Sequence, residues 1–458
     1  MRILMINYEF PPIGGGGGNV THYISRNLAR KGHDVCIITS RFKGLPGYER
    51  KRFQIPPDPP LERGEPRGPL QRGEFRGSLQ RVELGNPFSK LGTKDGPFPK
   101  VETYGFEVHR VPVLRKSPNV CSVHEMFTFV VSASIYSLRL VKEFRPDIVH
   151  IFFGIPSGPV AYLLKKVYNL PYVVFLGGRD VPRPHSDPPF YRLMYGVLSP
   201  AIRSIWGNAK AVVACSNGLR ELALRWLNGS PHTRGSALPV ETCRDTACRV
   251  SCYSGIKIGV IPDGVDLSKF RPVEKNPDPD ATVKILTIGR LIPRKGFDCL
   301  IRSLPELMKI ARKDFCVEIV GDGPLRAELT RLTEQLHVAD KVVFAGTVPY
   351  EQLAGKYRQA DVFVLSSLAE GMPLVVLEAM ASGLPIIASG VQGIEDLVEE
   401  GVNGHLFPPA DHRALNQYLA AVINDDAIRL QMGRESARIV RKYDWANIAE
   451  QYLRIYES

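Results

Sequence analysis

The chain has 458 residues, of which 44% are hydrophobic and 23% charged, with a formal net charge of +12. That length and mix indicate an ordinary globular protein of roughly two or three domains and exclude a collagenous or wholly disordered chain. No run of about 18 apolar residues occurs, so no membrane-spanning helix is expected.

Met1 to Asn7 reads as a short buried strand rather than a signal peptide, since no long apolar region or small-residue cleavage site follows. Eight cysteines in a chain this long do not make a disulfide framework, and a cytoplasmic protein is the simpler reading. The charge is uneven. Residues 1–270 carry 37 Lys and Arg against 21 Asp and Glu, whereas residues 271–458 carry 22 against 26. A basic front half suits an anionic acceptor, nucleic acid, or peripheral contact with an anionic membrane at its inner face. Basic stripes interleaved with aromatics are not found, so no nucleic acid is expected.

After the first strand come a Pro-containing loop, Tyr8 to Ile13, and five glycines, Gly14 to Gly18. Asn19 to Gly32 reads as a helix stopped by glycine, and Asp34 to Thr39 as the second strand. This is a βαβ unit with a glycine loop at a helix N-terminus, a geometry that suits anions. A P-loop would end in Gly-Lys-Ser/Thr, but these glycines run into Asn19-Val20-Thr21. A dinucleotide fingerprint would start directly after the strand and end strand two in an acid; strand two ends in Thr39-Ser40-Arg41. An oxidoreductase is disfavoured.

From about 44 to 100 the chain is rich in Pro, Gly and charge, with a near-repeat of Arg-Gly and Leu-Gln-Arg units at 61–81. Disorder and a tolerated, dispensable surface insertion are expected there. Helices are expected at Phe127–Phe144, Gly158–Tyr168 and Tyr191–Ile205, and strands at Phe106–Pro112, Asp147–Ile151, Tyr172–Leu176 and Ala211–Ser216. The loop Gly177 to Pro182 follows a strand C-terminus, where open α/β sheets hold ligands, and offers Arg179 and Asp180 as polar groups. Asp180 reads equally as a turn or helix cap. A second insert, about 229–255, holds Cys243, Cys248 and Cys252 at a spacing that matches no standard zinc site. A strand at Lys257–Ile261 leads into the turn Pro262-Asp263-Gly264-Val265-Asp266, and residues 271–282 read as a linker.

The second half restarts the pattern. Strand Val283–Ile288 leads into the loop Gly289-Arg290-Leu291-Ile292-Pro293-Arg294-Lys295-Gly296 and a helix over Phe297–Ala311. Further strands are expected at Phe315–Val320, Lys341–Gly346, Asp361–Ser366 and Pro385–Ser389, then a hairpin with an Asn-Gly turn at Gly401–Phe407. The two βα-rich halves predict two doubly wound sheets facing across a cleft.

The most informative stretch is Glu370-Gly371-Met372-Pro373-Leu374-Val375-Val376-Leu377-Glu378. Pro373 suits a first helical turn, and Gly383 with Pro385 ends the helix. Apolar residues cover every face, so the helix is expected to be buried all round, with Glu378 needing donors inside it. The free N–H groups near Gly371, Met372 and Leu374 are a seat for phosphate. A core helix with a capping Glu and an internally satisfied Glu would show the same residues.

This stretch resembles the Glu-x7-Glu signature of the retaining glycosyltransferases of family 4, which have the two-domain GT-B fold. The order of motifs along nearly the whole chain, inserts aside, resembles that family too. The resemblance implies an α/β fold of two Rossmann-like domains. Residues 1–270 would lie on the acceptor side, 283–440 would bind the nucleotide sugar, and the last helix, within 441–458, would return to the first domain. It implies a metal-independent retaining transfer of sugar from a nucleoside-diphosphate sugar (UDP-, GDP- or ADP-) to a hydroxyl. The acceptor would be a sugar, a lipid-linked or a small molecule. Gly14, Gly15 and Gly16 would let the backbone approach donor pyrophosphate and acceptor, and Arg290 and Lys295 would hold the pyrophosphate in place of a metal. Glu370 would hold the sugar, Gly371, Met372, Pro373 and Leu374 the phosphate, and Glu378 the ribose. Gly177 stands where members often carry His, which leaves Asp180 as the polar group of that loop. Asp278-Pro279-Asp280 falls in the linker and not after a strand, so no metal motif is expected. Two other readings fit the same scaffold or charge: a nucleotide-sugar epimerase or sugar phosphorylase, and a non-enzymatic basic RNA- or partner-binding protein.

Overall fold

A computed structural model describes residues 1–12, 15–54, 103–115, 122–178, 180–182, 189–228, 251–253, 256–274 and 281–458. Gly14, Arg179, the 61–81 near-repeat, Cys243, Cys248 and residues 275–280 of the expected linker lie outside them.

The first domain runs β1 (Arg2–Ile6), α1 (Gly16–Arg30), β2 (Asp34–Ser40), β3 (Tyr48–Gln54), β4 (Thr103–Val111), α2 (Val123–Phe144), β5 (Ile148–Phe152), α3 (Ser157–Tyr168), β6 (Tyr172–Leu176), α4 (Pro189–Gly207), β7 (Ala211–Ala214), α5 (Asn217–Leu227), β8 (Ser251–Tyr253) and β9 (Ile256–Val260). Among the described residues its sheet has the order β3-β4-β2-β1-β5-β6-β7-β9-β8. Every pairing from β4 to β9 is parallel, and β3 and β8 add antiparallel edges. The inner strands β1, β5 and β6 are almost wholly apolar and buried, as strands covered by helices on both faces require.

The second domain runs β10 (Val283–Ile288), α6 (Phe297–Ile310), β11 (Phe315–Val320), α7 (Arg326–Gln335), β12 (Val342–Gly346), α8 (Tyr350–Gln359), β13 (Val362–Leu365), α9 (Leu374–Ala381), β14 (Ile386–Ser389), β15 (Gly404–Phe407), α10 (His412–Asn424) and α11 (Asp426–Ile439). Its sheet, β12-β11-β10-β13-β14-β15, is parallel throughout. Two doubly wound Rossmann-like sheets, each reversing order beside its first strand, make up the α/β fold. The final helix, α12 (Trp445–Glu457), packs on the first domain. Trp445 stacks on Tyr23 of α1, Tyr456 Oη lies 2.6 Å from His150 Nδ1 of β5, and Lys31 pairs with Glu450. The stack and the buried His–Tyr contact fix this crossover through aromatic area and an otherwise costly imidazole.

Four local expectations are corrected. Part of the stretch expected to be disordered, 44–100, is the strand β3, in register with β4 from Tyr48↔His109 to Gln54↔Thr103. Phe53 stacks on Tyr104 and Lys51 lies over the Phe10 ring, so the Glu49-Lys51-Phe53 face of this strand covers aromatic rings through one phenyl group and one lysine. Likewise β8 orders the end of the 229–255 stretch as an antiparallel edge. Helix α1 begins at Gly16, not Asn19, because the side chains of Asn7 and Thr21 both donate to Gly17 O and secure a glycine first turn. No Asn-Gly hairpin forms: β15 is parallel to β14, and Asn403 is buried, bonding Glu399 N and Leu397 O. Those local bonds spend the Asn side chain on a turn between Leu397 and Asn403.

Candidate functional site: the cleft between the sheets

The site forms where strand C-terminal ends of both sheets face each other. On the second domain, β10 ends at Ile288 and leads into Gly289 and Arg290, and Arg290 is exposed. The loop then turns back through Pro293 to Gly296, whose φ of 60° is the left-handed conformation that glycine takes without cost. Leu368 N donates to Arg294 O, and Ser366 Oγ donates to Gly296 O. These bonds stitch the loop after β10 to the loop after β13. Lys295 Nζ therefore reaches Glu370 Oε1 at 2.6 Å, with both side chains largely buried. Burial alone would raise the Glu370 carboxyl; the charge and hydrogen bond of Lys295, helped by Ser367 and Arg294, outweigh it and hold the group below the ordinary carboxylate range.

Gly371 to Pro373 lead into α9, with Pro373 one place earlier than expected, as the residue preceding the first turn. The helix is not buried all round. Leu374 and Val375 are half-buried and turn toward the cleft, while Val376 to Ala381 are buried. Met372 is buried and its sulfur accepts from Asp263 N of the first domain, 3.1 Å away. Glu378 finds its donor in Tyr357 Oη at 2.7 Å. Burial pushes its carboxyl up to about 7, against the pull of Tyr357, Tyr350 and Lys269. Tyr350 in turn bonds Tyr23 of α1, and Lys269 Nζ lies 3.4 Å from the Tyr350 ring centroid. Nothing in the sequence marks Tyr23, Lys269, Tyr350 and Tyr357 as one cluster; they come from α1, the segment after β9, and α8.

The first domain meets this equipment with backbone. A Cβ built on Gly16 would lie 3.7 Å from Leu374 Cδ1, so the glycine loop sits against the mouth of α9. A Cβ on Gly371 would come within 2.9 Å of Gly177 O, so the loops after β6 and β13 touch through glycine. Gly15 is exposed beside Glu9, whose carboxylate accepts from its N–H. Asp180 is buried. Its two oxygens accept from Gly154 N and Gly177 N, each at 2.7 Å. Burial pushes its carboxyl up to about 6, while the backbone N–H groups pull it down. Asp180 thus ties the loop after β5 to the loop after β6. The structure brings Gly16, Asp180, Lys295, Glu370, Gly371, Met372, Pro373 and Leu374 to one cleft, Arg290 to its rim, and Glu378 one turn behind it.

The glycosyl transferases group 1 family matches residues 269–439, and the glycosyl transferase 4-like domain matches residues 15–240. The chain is 32% identical over 343 residues to a sulfoquinovosyl transferase of Arabidopsis thaliana, covering 71% of this chain and 59% of that protein. It is 33% identical over 192 residues to a GDP-mannose-dependent alpha-(1-6)-phosphatidylinositol monomannoside mannosyltransferase of Mycolicibacterium smegmatis, covering 38% of this chain and 49% of that one. With many of its curated relatives, the aligned part is about half of the relative's own length. Among solved structures, a sucrose-phosphate synthase from Thermosynechococcus elongatus superposes with a TM-score of 0.69 at 20% identity, covering 100% of this chain and 98% of that one, which is a likeness of fold. Two family matches that together take in most of both sheets, and the GT-B architecture itself, place the chain: it belongs to the group 1 glycosyltransferases.

Proposed function

We propose that this chain transfers a sugar from a nucleoside-diphosphate sugar to an acceptor hydroxyl, with retention and without a metal ion. The observation that carries the proposal is the Lys295–Glu370 pair at 2.6 Å, set beside the N-terminus of α9 and against the glycine loops of the opposite domain. A pyrophosphate entering there meets two cations, Lys295 and Arg290, and the free N–H groups of the first turn of α9. That charge stabilises the pyrophosphate as it leaves, the role a metal otherwise takes. Glu370, released from part of its bond to Lys295, holds the sugar hydroxyls, and Glu378 accepts from the ribose. The bond from the sugar carbon to the phosphate oxygen breaks as the acceptor oxygen bonds that carbon on the same face. The acceptor proton passes to the leaving phosphate. Glu370 and Glu378 are each engaged by other side chains, which supports a binding role for both over that of a nucleophile.

The acceptor side is the first domain, whose basic excess favours an anionic or lipid-linked acceptor. The mannosyltransferase relative is named for a phosphatidylinositol acceptor. No helix among the described residues is long and apolar enough to cross a membrane, so contact with a bilayer would be peripheral. A thermal-shift series with UDP-, GDP- and ADP-sugars tests the donor: a ligand at about 100 times Kd stabilises by roughly 2.7 kcal/mol. The anomeric configuration of the product by NMR tests retention, and activity in excess EDTA tests metal independence. Turnover of a sugar nucleotide to its epimer, or salt-sensitive RNA binding with no shift by any sugar nucleotide, would replace this reading.

A further inference from the structure

The first domain holds, against the glycine loops that face the second domain, one side chain that no motif announces. Phe153, directly after β5, has φ of 71°, a conformation that bulky residues avoid. Its ring is half-buried and lies between two glycines. A Cβ on Gly17 would come within 2.5 Å of Phe153 Cζ, and a Cβ on Gly177 within 2.7 Å of Cε1. The ring therefore occupies the room that any side chain at 177 would need. The surroundings hold it there from both sides. Phe153 N donates to Phe175 O, while Asp180 accepts from Gly154 N on one flank and Gly177 N on the other. Backbone strain of this kind persists where the neighbours over-determine it.

We infer that Phe153 is a specificity-determining residue of the transfer, an aromatic platform for the C–H face of the sugar, and that Asp180 is its positioning residue. The inference rests on the reading of the cleft as a sugar-nucleotide site. Gly177 O touches the Gly371 backbone, and Gly371 follows the carboxylate assigned to the sugar, so the ring borders the sugar end of the cleft and not the nucleotide end. A phenyl ring neither donates nor accepts a conventional hydrogen bond. It rewards an apolar sugar face and gives nothing to a hydroxyl directed at it. The ring takes up the space beside Gly17 and Gly177 that a side chain at either position would enter.

Calorimetric titration separates sugar from nucleotide. The ligands are UDP, GDP and ADP, and UDP-glucose, GDP-mannose and ADP-glucose, titrated into wild type, Phe153→Leu, Phe153→Tyr and Asp180→Asn. Phe153→Leu keeps apolar volume and removes the ring, so it guards against simple unfolding. For whichever nucleotide binds, Phe153→Leu is expected to leave nucleoside-diphosphate affinity within twofold and to weaken the sugar nucleotide about three- to tenfold. Phe153→Tyr retains the ring and should retain the difference, and Asp180→Asn should follow Phe153→Leu. Equal changes for nucleotide and sugar nucleotide in Phe153→Leu, or none for either, would overturn the platform. Wild type that binds none of the six ligands would overturn the reading of the cleft as a site for these sugar nucleotides, and this one with it. Wild type that binds the nucleoside diphosphates no less tightly than their sugar conjugates, with Phe153→Leu unchanged, would overturn the platform alone.

Discussion

The two walls of the cleft are built from different materials. The second domain brings charge: Arg290 at the rim, Lys295 against Glu370, and Glu378 behind them. The first domain brings glycine backbone, the Phe153 ring, and the buried Asp180, whose carboxylate oxygens are both occupied by main-chain N–H groups. On the proposed reading, the charged wall is the one that would meet a departing pyrophosphate, and the glycine wall would admit close approach of the sugar. A further contrast lies within the ion pairs. Lys295–Glu370 and Lys31–Glu450 have the same 2.6 Å separation, but side-chain exposures of 15% and 8% in the first, against 39% and 43% in the second. Equal distance in unequal surroundings means unequal energy.

The largest expected effect breaks the charged wall. Lys295→Ala should lower kcat by about two to three orders of magnitude, on the scale of one lost oxyanion donor. It should also lower Tm, because the buried Glu370 loses the cation that chiefly offsets its desolvation and keeps Ser367 and Arg294 beside it. Arg290→Ala, at the exposed rim, should show the kinetic loss without the thermal one. Unchanged kcat in both would remove the pyrophosphate role. Next, Glu370→Gln should reduce kcat more than donor affinity, and Glu378→Gln should chiefly weaken the donor. A trapped glycosyl-enzyme on Glu370 would overturn the mechanism. If the ionised Glu378 is what accepts from the ribose, donor affinity should fall as pH drops through about 7, and Glu378→Gln should flatten that profile in calorimetry.

A third prediction concerns the seam between the walls. Asp263 is buried beside Met372, and burial pushes its carboxyl up to about 8 from 3.8. The folded protein keeps this proton where the unfolded chain has lost it, so the group's contribution is most favourable below the unfolded value and declines as pH rises from about 4 to about 8. Asp263→Asn should therefore raise Tm, and raise it more at pH 8 than at pH 5; an equal shift at both would contradict the assignment. The smallest effect is expected at Lys31→Ala, where the exposed pair should give no Tm change resolvable in a standard melt. A loss comparable with that of Lys295→Ala would show that exposure is not what separates the two pairs.

Much of this architecture was legible in one dimension. Apolar runs such as Tyr172 to Leu176, and Ile148 to Phe152 interrupted by His150, read as strands covered on both faces, and their alternation with helical segments points to parallel sheets. The Glu-x7-Glu stretch and the Arg290-to-Lys295 loop were legible because charge at a strand-to-helix turn is an exception to local pattern, and exceptions carry chemistry. β3 was not: its seven residues, five of them polar or charged, earn strand conformation only from Phe10, Tyr104 and Phe106, contributed by other strands and loops. The Asn-Gly of residues 403 and 404 misled for the converse reason, since a buried Asn with two main-chain partners overrides hairpin propensity.

By itself the sequence determined which groups exist and the local conformations that propensity, periodicity and glycine dictate, because those interactions reach only a few residues along the chain. Which groups meet was decided by tertiary structure. Lys295 finds Glu370 because two loops are stitched by Ser366 and Leu368, and burial raises the Glu378 carboxyl to about 7 even against the hydrogen bonds of Tyr357 and Tyr350. Phe153 faces Gly17 and Gly177 across separations of 136 and 24 residues in the chain, and no local rule acts over such distances. Desolvation and close contact belong to the packed molecule, and with them the chemistry of the cleft.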